Sequence, residues 1–158
     1  MWRKLTMASV VLVLVAAACS SDDDAADTTT TAPEPTTTTA APAETGPALA
    51  GAESALGEIV VDDGGNTLYV FIPDDGGEST CYDDCATAWP PLEGVAQATG
   101  SLDASLLGTS PRTDGAEQVT YNGWPLYYFA NDAAPGDTNG QGVNDVWYVI
   151  APSGEVIR

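Results

Sequence analysis

The 158-residue chain has no histidine, four basic residues and three cysteines. Each shortage closes a set of functions. Without imidazole there is no Ser-His-Asp or Cys-His triad, no His-ligated zinc or haem, and no histidine acid–base chemistry. Four Lys+Arg against 23 Asp+Glu leave a formal charge of −19. That charge repels phosphate backbones and anionic headgroups, so neither nucleic-acid binding nor electrostatic adsorption to lipid is expected. Phenylalanine numbers only two, and of the twelve aromatic residues all but Trp2 lie between Tyr69 and Tyr148. The core-forming part is therefore about residues 50–158, enough for one compact domain.

What precedes it reads as an export signal and a tether. Met1-Trp2-Arg3-Lys4 is a short basic start, and Met7 to Ala18 is a run of small and apolar residues too short to span a bilayer. Residues 1–18 are thus expected to be a signal peptide. Val15-Ala16-Ala17-Ala18-Cys19 resembles a bacterial lipobox, which implies acylation of Cys19 and cleavage just before it. The mature chain would then hang from the bacterial membrane, facing away from the cytoplasm, with 23 acids against Arg112 and Arg158. Residues 19–49, rich in Thr, Pro, Asp and Ala, have little to bury and are expected to form a disordered stalk.

The domain carries an internal duplication. At an offset of 58 residues the sequence matches itself at Gly57/Gly115, Val61/Val119, Gly65/Gly123, Leu68/Leu126, Tyr69/Tyr127, Phe71/Phe129, Asp74/Asp132, Thr80/Thr138 and Trp89/Trp147. Two copies are too few for a solenoid. A single pseudo-symmetric domain, each half completing the other's core, is the expected architecture.

Local signals place mainly antiparallel strands in that domain. Ile59-Val60-Val61 leads through Asp62–Asn66 into Thr67–Ile72, and Gln118–Tyr121 leads through Asn122-Gly123 into Pro125–Ala130. Asn-Gly between β-formers marks a tight hairpin, because both central residues of that turn take positive φ. A third hairpin is expected from Val146–Ile150 and Glu155–Ile157 about Ala151–Gly154. Helix is confined to short turns at Ser101–Leu107 and Ser79–Ala88, the latter ended by Pro90-Pro91. Alternation puts Leu68, Val70 and Ile72 on one face of their strand and Tyr69 and Phe71 on the other. Both faces are apolar, so this strand and its repeat Leu126–Ala130 are expected to be central and covered on both sides. The fold class expected is all-β.

The segments Tyr69-Val70-Phe71-Ile72-Pro73-Asp74 and Tyr127-Tyr128-Phe129-Ala130-Asn131-Asp132 carry a Tyr-x-aromatic-x-x-Asp motif. With Cys81-Tyr82-Asp83-Asp84-Cys85, Trp89-Pro90-Pro91-Leu92 and Val119-Thr120-Tyr121-Asn122-Gly123, the chain resembles a bacterial secreted-repeat lipoprotein family over about residues 55–152. The resemblance implies exported lipoproteins built from tandem repeats. It supplies no agreed activity and no catalytic residues.

Three groups are candidate sites. Cys81 and Cys85 form an even pair in an exported domain and are expected to be disulfide-bonded. An i,i+4 pair on a regular helix holds its Cβ atoms about 5–6 Å apart, too far for a bridge, so a non-helical turn at Cys81 is required. An exchangeable redox pair and thiolate ligation of a soft metal are the alternatives. Asp137-Thr138-Asn139-Gly140-Gln141-Gly142 resembles the opening of a calcium loop, but Tyr148 stands where the closing Glu belongs. A weak calcium site would use Asp132, Asp137, Asn139 and Asp145. Adjacent acids such as Asp74/Asp75 offer a carboxylate pair, which this composition produces without any catalytic cause. Asp74 and Asp132 themselves are expected to bind backbone N–H groups of the following turn.

The function expected is a membrane-anchored binding or accessory module at the cell envelope, without catalysis and without a required cofactor. Its partners would be the bilayer, through Cys19, and an envelope protein or glycan. A redox or metal-handling accessory using Cys81 and Cys85 is the alternative.

Overall fold

The computed structural model describes residues 46–158. The leader, Cys19 and the stalk up to residue 45 lie outside them. Nine strands form three small sheets. The first joins β1 (Ala48–Ser54), β2 (Gly57–Val61) and β4 (Gln97–Ala98) in the order β2-β1-β4. The second runs β3-β8-β9, from β3 (Tyr69–Phe71), β8 (Trp147–Ile150) and β9 (Val156–Ile157), and the third runs β5-β6-β7, from β5 (Leu107–Pro111), β6 (Glu117–Tyr121) and β7 (Trp124–Pro125). All pairings between named strands are antiparallel except β1 with β4.

Two of the three expected hairpins are present, β6–β7 and β8–β9; in the first, β2 and β3 go to different sheets and the turn is closed only by the Val61–Thr67 bridge. Asn122 and Gly123 both take positive φ, 49° and 80°, as the tight β6–β7 turn requires. The Asp62–Asn66 loop is closed by its own first residue: Asp62 Oδ1 accepts the N–H groups of Gly64 at 2.9 Å and Asn66 at 2.8 Å. Helical structure is limited to α1 (Asp84–Ala88) and three single 3₁₀ turns. The turn expected to start at Ser101 is capped instead by Asp103, whose carboxylate accepts Ser105 N–H, and covers only Ala104–Leu106.

One boundary moves. The ordered fold begins inside the segment assigned to the stalk, since β1 starts at Ala48 and Leu49 is fully buried. Ala, Gly and Ser dominate β1 and carry no strand propensity, so the pairing with β2, not the local sequence, makes it a strand.

The duplication is visible in the chain path. β1 and β5, β2 and β6, and β3 and the Tyr127–Phe129 segment hold corresponding places. Each repeat then lends its motif strand to the other. β3 pairs with β8 of the second repeat, while Tyr128 and Ala130 donate their N–H groups to Pro90 O and Ala88 O of the first. Between them, Tyr69 and Tyr127 exchange backbone hydrogen bonds of 2.8 and 2.9 Å, which places both on the pseudo-two-fold axis.

Side-chain alternation builds a core on each side of this seam. Leu68, Val70 and Leu126 face one cluster with Leu49, Val60, Val119 and Ile150. Tyr69 and Tyr127 face the other with Ile59, Val61, Trp89, Trp147 and Cys81. Neither segment is a central strand as expected: β3 is the outer strand of its sheet, and residues 126–130 form only isolated bridges at Tyr127, yet the side chains of both are buried on two sides, as the double apolar pattern requires.

Candidate functional site

The repeated motif is the contact between the repeats. Tyr69 donates its hydroxyl proton to Asp132 Oδ2 at 2.8 Å, and Tyr127 donates to Asp74 Oδ2 at 2.5 Å. Each tyrosine is thus satisfied by the acid of the other copy. The aromatic at the third position does the same work by stacking. Phe71 lies on Trp147 and Phe129 on Trp89, each with ring centroids 4.2 Å apart, and the two tryptophans stack on each other at 3.8 Å and 3°. The result is a four-ring stack, Phe129, Trp89, Trp147, Phe71, whose centre lies between the repeats. Tyr69 meets Trp89 edge-on at 5.4 Å and Tyr127 meets Trp147 edge-on at 5.2 Å. Such ring pairs contribute about 0.5–1.5 kcal/mol each beyond their burial.

The acids also close the turns that follow them. Asp74 Oδ1 accepts Thr80 N–H and Oγ1–H at 2.8 and 2.7 Å, and Asp132 Oδ1 accepts Asn139 N–H at 3.0 Å. The backbone role read from sequence is therefore present, and the tyrosine partner is an addition. Burial and then the Asp132 hydrogen bond push the Tyr69 phenol far above the ordinary tyrosine range; burial and then Asp74 do so for Tyr127. Tyr128 is raised as well, by burial and by the charge of Asp62, to which it donates at 3.1 Å.

Around Tyr127 the network extends to a buried cation. The single proton of Tyr127 goes to Asp74, so the Ser79 hydroxyl, 2.8 Å away, donates to Tyr127 Oη. Ser79 Oγ in turn accepts from Arg112 at 2.8 Å. The Arg112 side chain is 1 % exposed and also donates to Gln118 Oε1, Cys81 O and Asp114 Oδ2, with its guanidinium 4.4 Å above the Tyr82 ring. Planar geometry and five donors suit arginine alone to this position. No motif pointed to it; the available signal was a single internal cation in a strongly acidic domain.

Cys81 and Cys85 are bridged, with Cα atoms 5.3 Å apart. The chain leaves the helix to make the bridge: α1 starts only at Asp84, and Asp83 before it takes φ +52°. Cys81 is wholly buried against the aromatic cluster and Cys85 half-buried. Asn139 and Val143 hold the equivalent positions in the second repeat, so the bridge belongs to one copy.

The calcium candidates do not converge. Both oxygens of Asp132 are engaged as described, Asp137 Oδ2 accepts the N–H groups of Ala133 and Ala134, and Asn139 lies exposed with its amide 3.5 Å from Asn131 O. Asp145 sits in a separate 3₁₀ turn at positive φ. Among the described residues no group of three or more Cys, Asp or Glu side chains is placed to hold a metal ion. Asp132 and Asp137 thus spend their carboxylates on backbone N–H groups and the Tyr69 hydroxyl.

The surface has two concavities of note. A groove of about 560 Å³ opens between Val95–Ala98 and Ala104–Thr109, and a cup of about 240 Å³ lies between Asp75–Gly77 and Asn122–Trp124.

These features define a class: a β domain of two interlocked repeats whose signature residues face one another. A family model, Lipoprotein_15, described as a secreted repeat of unknown function, matches residues 51–93 and 108–151, and the chain belongs to that family. Comparisons with curated proteins and with solved structures found no match. Membership makes the protein extracytoplasmic and attaches no known catalysis to it. No helix of the described residues is long and apolar enough to cross a membrane.

Proposed function

We propose that the protein is a lipid-anchored accessory module of the bacterial cell envelope that holds a protein partner in the groove formed by the connection between its repeats and has no catalytic centre of its own. The observation that carries this reading is the placement of that groove. Its walls come largely from residues 94–107, the connection that the two matched repeats leave out. The motif residues and the disulfide are committed to the core, whereas Val95, Gln97, Ala104, Gly108 and Thr109 of the groove lie at the surface. Val95, 52 % exposed, is the large apolar side chain left open to solvent among the described residues, and it stands in the groove wall.

The groove's chemistry fits an extended peptide segment. β4 and β5, which flank it, are the outer strands of two different sheets, and an outer strand offers backbone groups to an added one. Small side chains at Ala96, Ala98, Ala104 and Gly108 keep it open, while Val95 and Leu107 supply apolar contact. Seventeen acids against two arginines in residues 46–158 favour a basic partner. The membrane attachment follows from Cys19 after Val15–Ala18, and the stalk of residues 20–45 provides reach.

The test compares the lipoprotein with its Val95→Asp variant, both purified from native membranes. A protein that accompanies the wild type and is lost from a variant of unchanged melting temperature supports the reading. Retention by Val95→Asp, or by a chain ending in the stalk, refutes it.

A further inference from the structure

The smaller cup is where the two repeats differ most usefully. On one side stands the Asp75-Gly76-Gly77 turn that follows the first motif. On the other stands the Asn122-Gly123-Trp124 hairpin of the second repeat. At the offset of 58, the equivalent residues are Ala133-Ala134-Pro135 and Gly64-Gly65-Asn66. There the two turns are in direct contact. A Cβ on Gly65 would lie 3.1 Å from Pro135 Cβ, and Gly136 N–H bonds Gly65 O at 2.9 Å. In the other copy Gly77 replaces the proline, where a Cβ would lie 3.0 Å from Gly123 O, and the cup opens beside this contact with the partly buried Trp124 in place of Asn66. The two copies of this position thus differ in lining: the cup carries an aromatic ring, Trp124, and an exposed acid, Asp75, where its equivalent has Asn66 and Ala133.

From this asymmetry we infer that the cup binds one pyranose ring of a neutral or amino-bearing glycan. Trp124 packs on the core with part of its surface and lines the cup with the rest. A partly buried indole in the wall of a cup suits a sugar ring, whose C–H groups are apolar and whose hydroxyl edge is polar. The other groups are polar: the exposed Asp75 carboxylate, the Asn122 side chain and the bare backbone of three glycines. Asn122 already donates to Gly154 O at 2.9 Å, which fixes the amide and leaves its oxygen as an acceptor. A purely apolar ligand would leave these groups without partners. An anionic one would face Asp75 and a domain with seventeen acids. Hydroxyls, and an ammonium where the sugar carries one, satisfy them. At about 240 Å³ the cup is below the usual range of drug-sized sites, so it holds a single ring of a longer chain. This site is separate from the Val95 groove and stands whether or not a protein occupies that groove.

The test titrates the ¹⁵N-labelled protein with the N-acetylglucosamine trimer and with the glucosamine trimer, following backbone amides by NMR. Saturable shifts are expected at Gly76, Gly77 and Gly123, at about millimolar affinity. Trp124→Ala should weaken both trimers about tenfold. Asp75→Asn, an exposed change with no fold at risk, should weaken the glucosamine trimer about threefold more than the acetylated one. Shifts absent up to about 10 mM with both trimers, shifts confined to other regions, or equal affinity in a folded Trp124→Ala protein would each overturn the site. If Trp124→Ala fails to fold, the shift map and the Asp75→Asn comparison decide.

Discussion

Replacing Tyr127 by Phe removes one hydroxyl and tests the exchange between repeats. Asp74 is 1 % exposed, so no water replaces the lost donor, and a hydrogen bond to a buried charged group is worth about 1.5–3 kcal/mol. Asp132 is only half-buried, but the Tyr69 hydroxyl also accepts the buried Gly140 N–H at 3.2 Å, so Tyr69→Phe should likewise cost about 1.5–3 kcal/mol. The sharper reading comes from double-variant cycles in urea unfolding. Asp74→Ala also loses the Thr80 bonds, but that loss is common to the single and double variants and cancels in the coupling. The cross pairs should couple, Tyr127 with Asp74 by about 2 kcal/mol and Tyr69 with Asp132 by about 1 kcal/mol. The pairs within one motif, Tyr69 with Asp74 and Tyr127 with Asp132, should add to within about 0.5 kcal/mol. Coupling within each motif and none across would refute the exchange.

Arg112→Ala strands Gln118 Oε1, Ser79 Oγ and Cys81 O, and should lower stability by about 3 kcal/mol in urea unfolding; Arg112→Lys should recover only part, lacking the planar fork. Gly140→Ala would put a Cβ 2.8 Å from the Trp89 and Tyr69 rings, and a melting-point measurement should report about 1–3 kcal/mol of overpacking. Cys81→Ser with Cys85→Ser opens a five-residue loop worth about 2 kcal/mol by chain entropy. With Cys81 sealed in the core, the bridge's reduction potential should fall below about −300 mV, and a value above about −200 mV would favour the redox alternative. Raised phenol values in the folded state mean that the native protein holds protons the unfolded chain releases. The contribution of Tyr69, Tyr127 and Tyr128 is therefore complete below about pH 10 and is lost as pH rises beyond it. In an alkaline titration Tyr82, held low by the Thr113 N–H bond to its oxygen, should ionise early, and those three only as the fold is lost.

Much of this architecture is legible in the chain because its signals are local or repeated. Asn122-Gly123 fixes its turn by φ alone, the apolar run Leu68–Ile72 announces a segment covered on both faces, and the offset of 58 pairs Trp89 with Trp147 in the sequence itself. The spacing of Cys81 and Cys85 forces the helix to start late, as it does. What was not legible depends on partners far along the chain. Tyr69 and Asp132 are 63 residues apart, Tyr127 and Asp74 53 apart, and nothing in either motif says that it is answered by its copy. β1 is a strand only by virtue of β2 and β4. Asp132 and Asp137 show the converse: a ligand-like spacing of acids whose carboxylates accept hydrogen bonds from the chain's own N–H groups and from Tyr69.

The interlocking of the repeats is tested most directly by separating them. The domain, divided between Thr99 and Ser101 in the inter-repeat connection, yields two halves that each keep one tryptophan of the stacked pair. Trp89 and Trp147 at 3.8 Å should give a strong exciton signature in circular dichroism. The account predicts that neither half folds as a monomer and that mixing them in equal amounts restores the signature. A half that folds alone as a monomer, with its own cooperative melting, would contradict it.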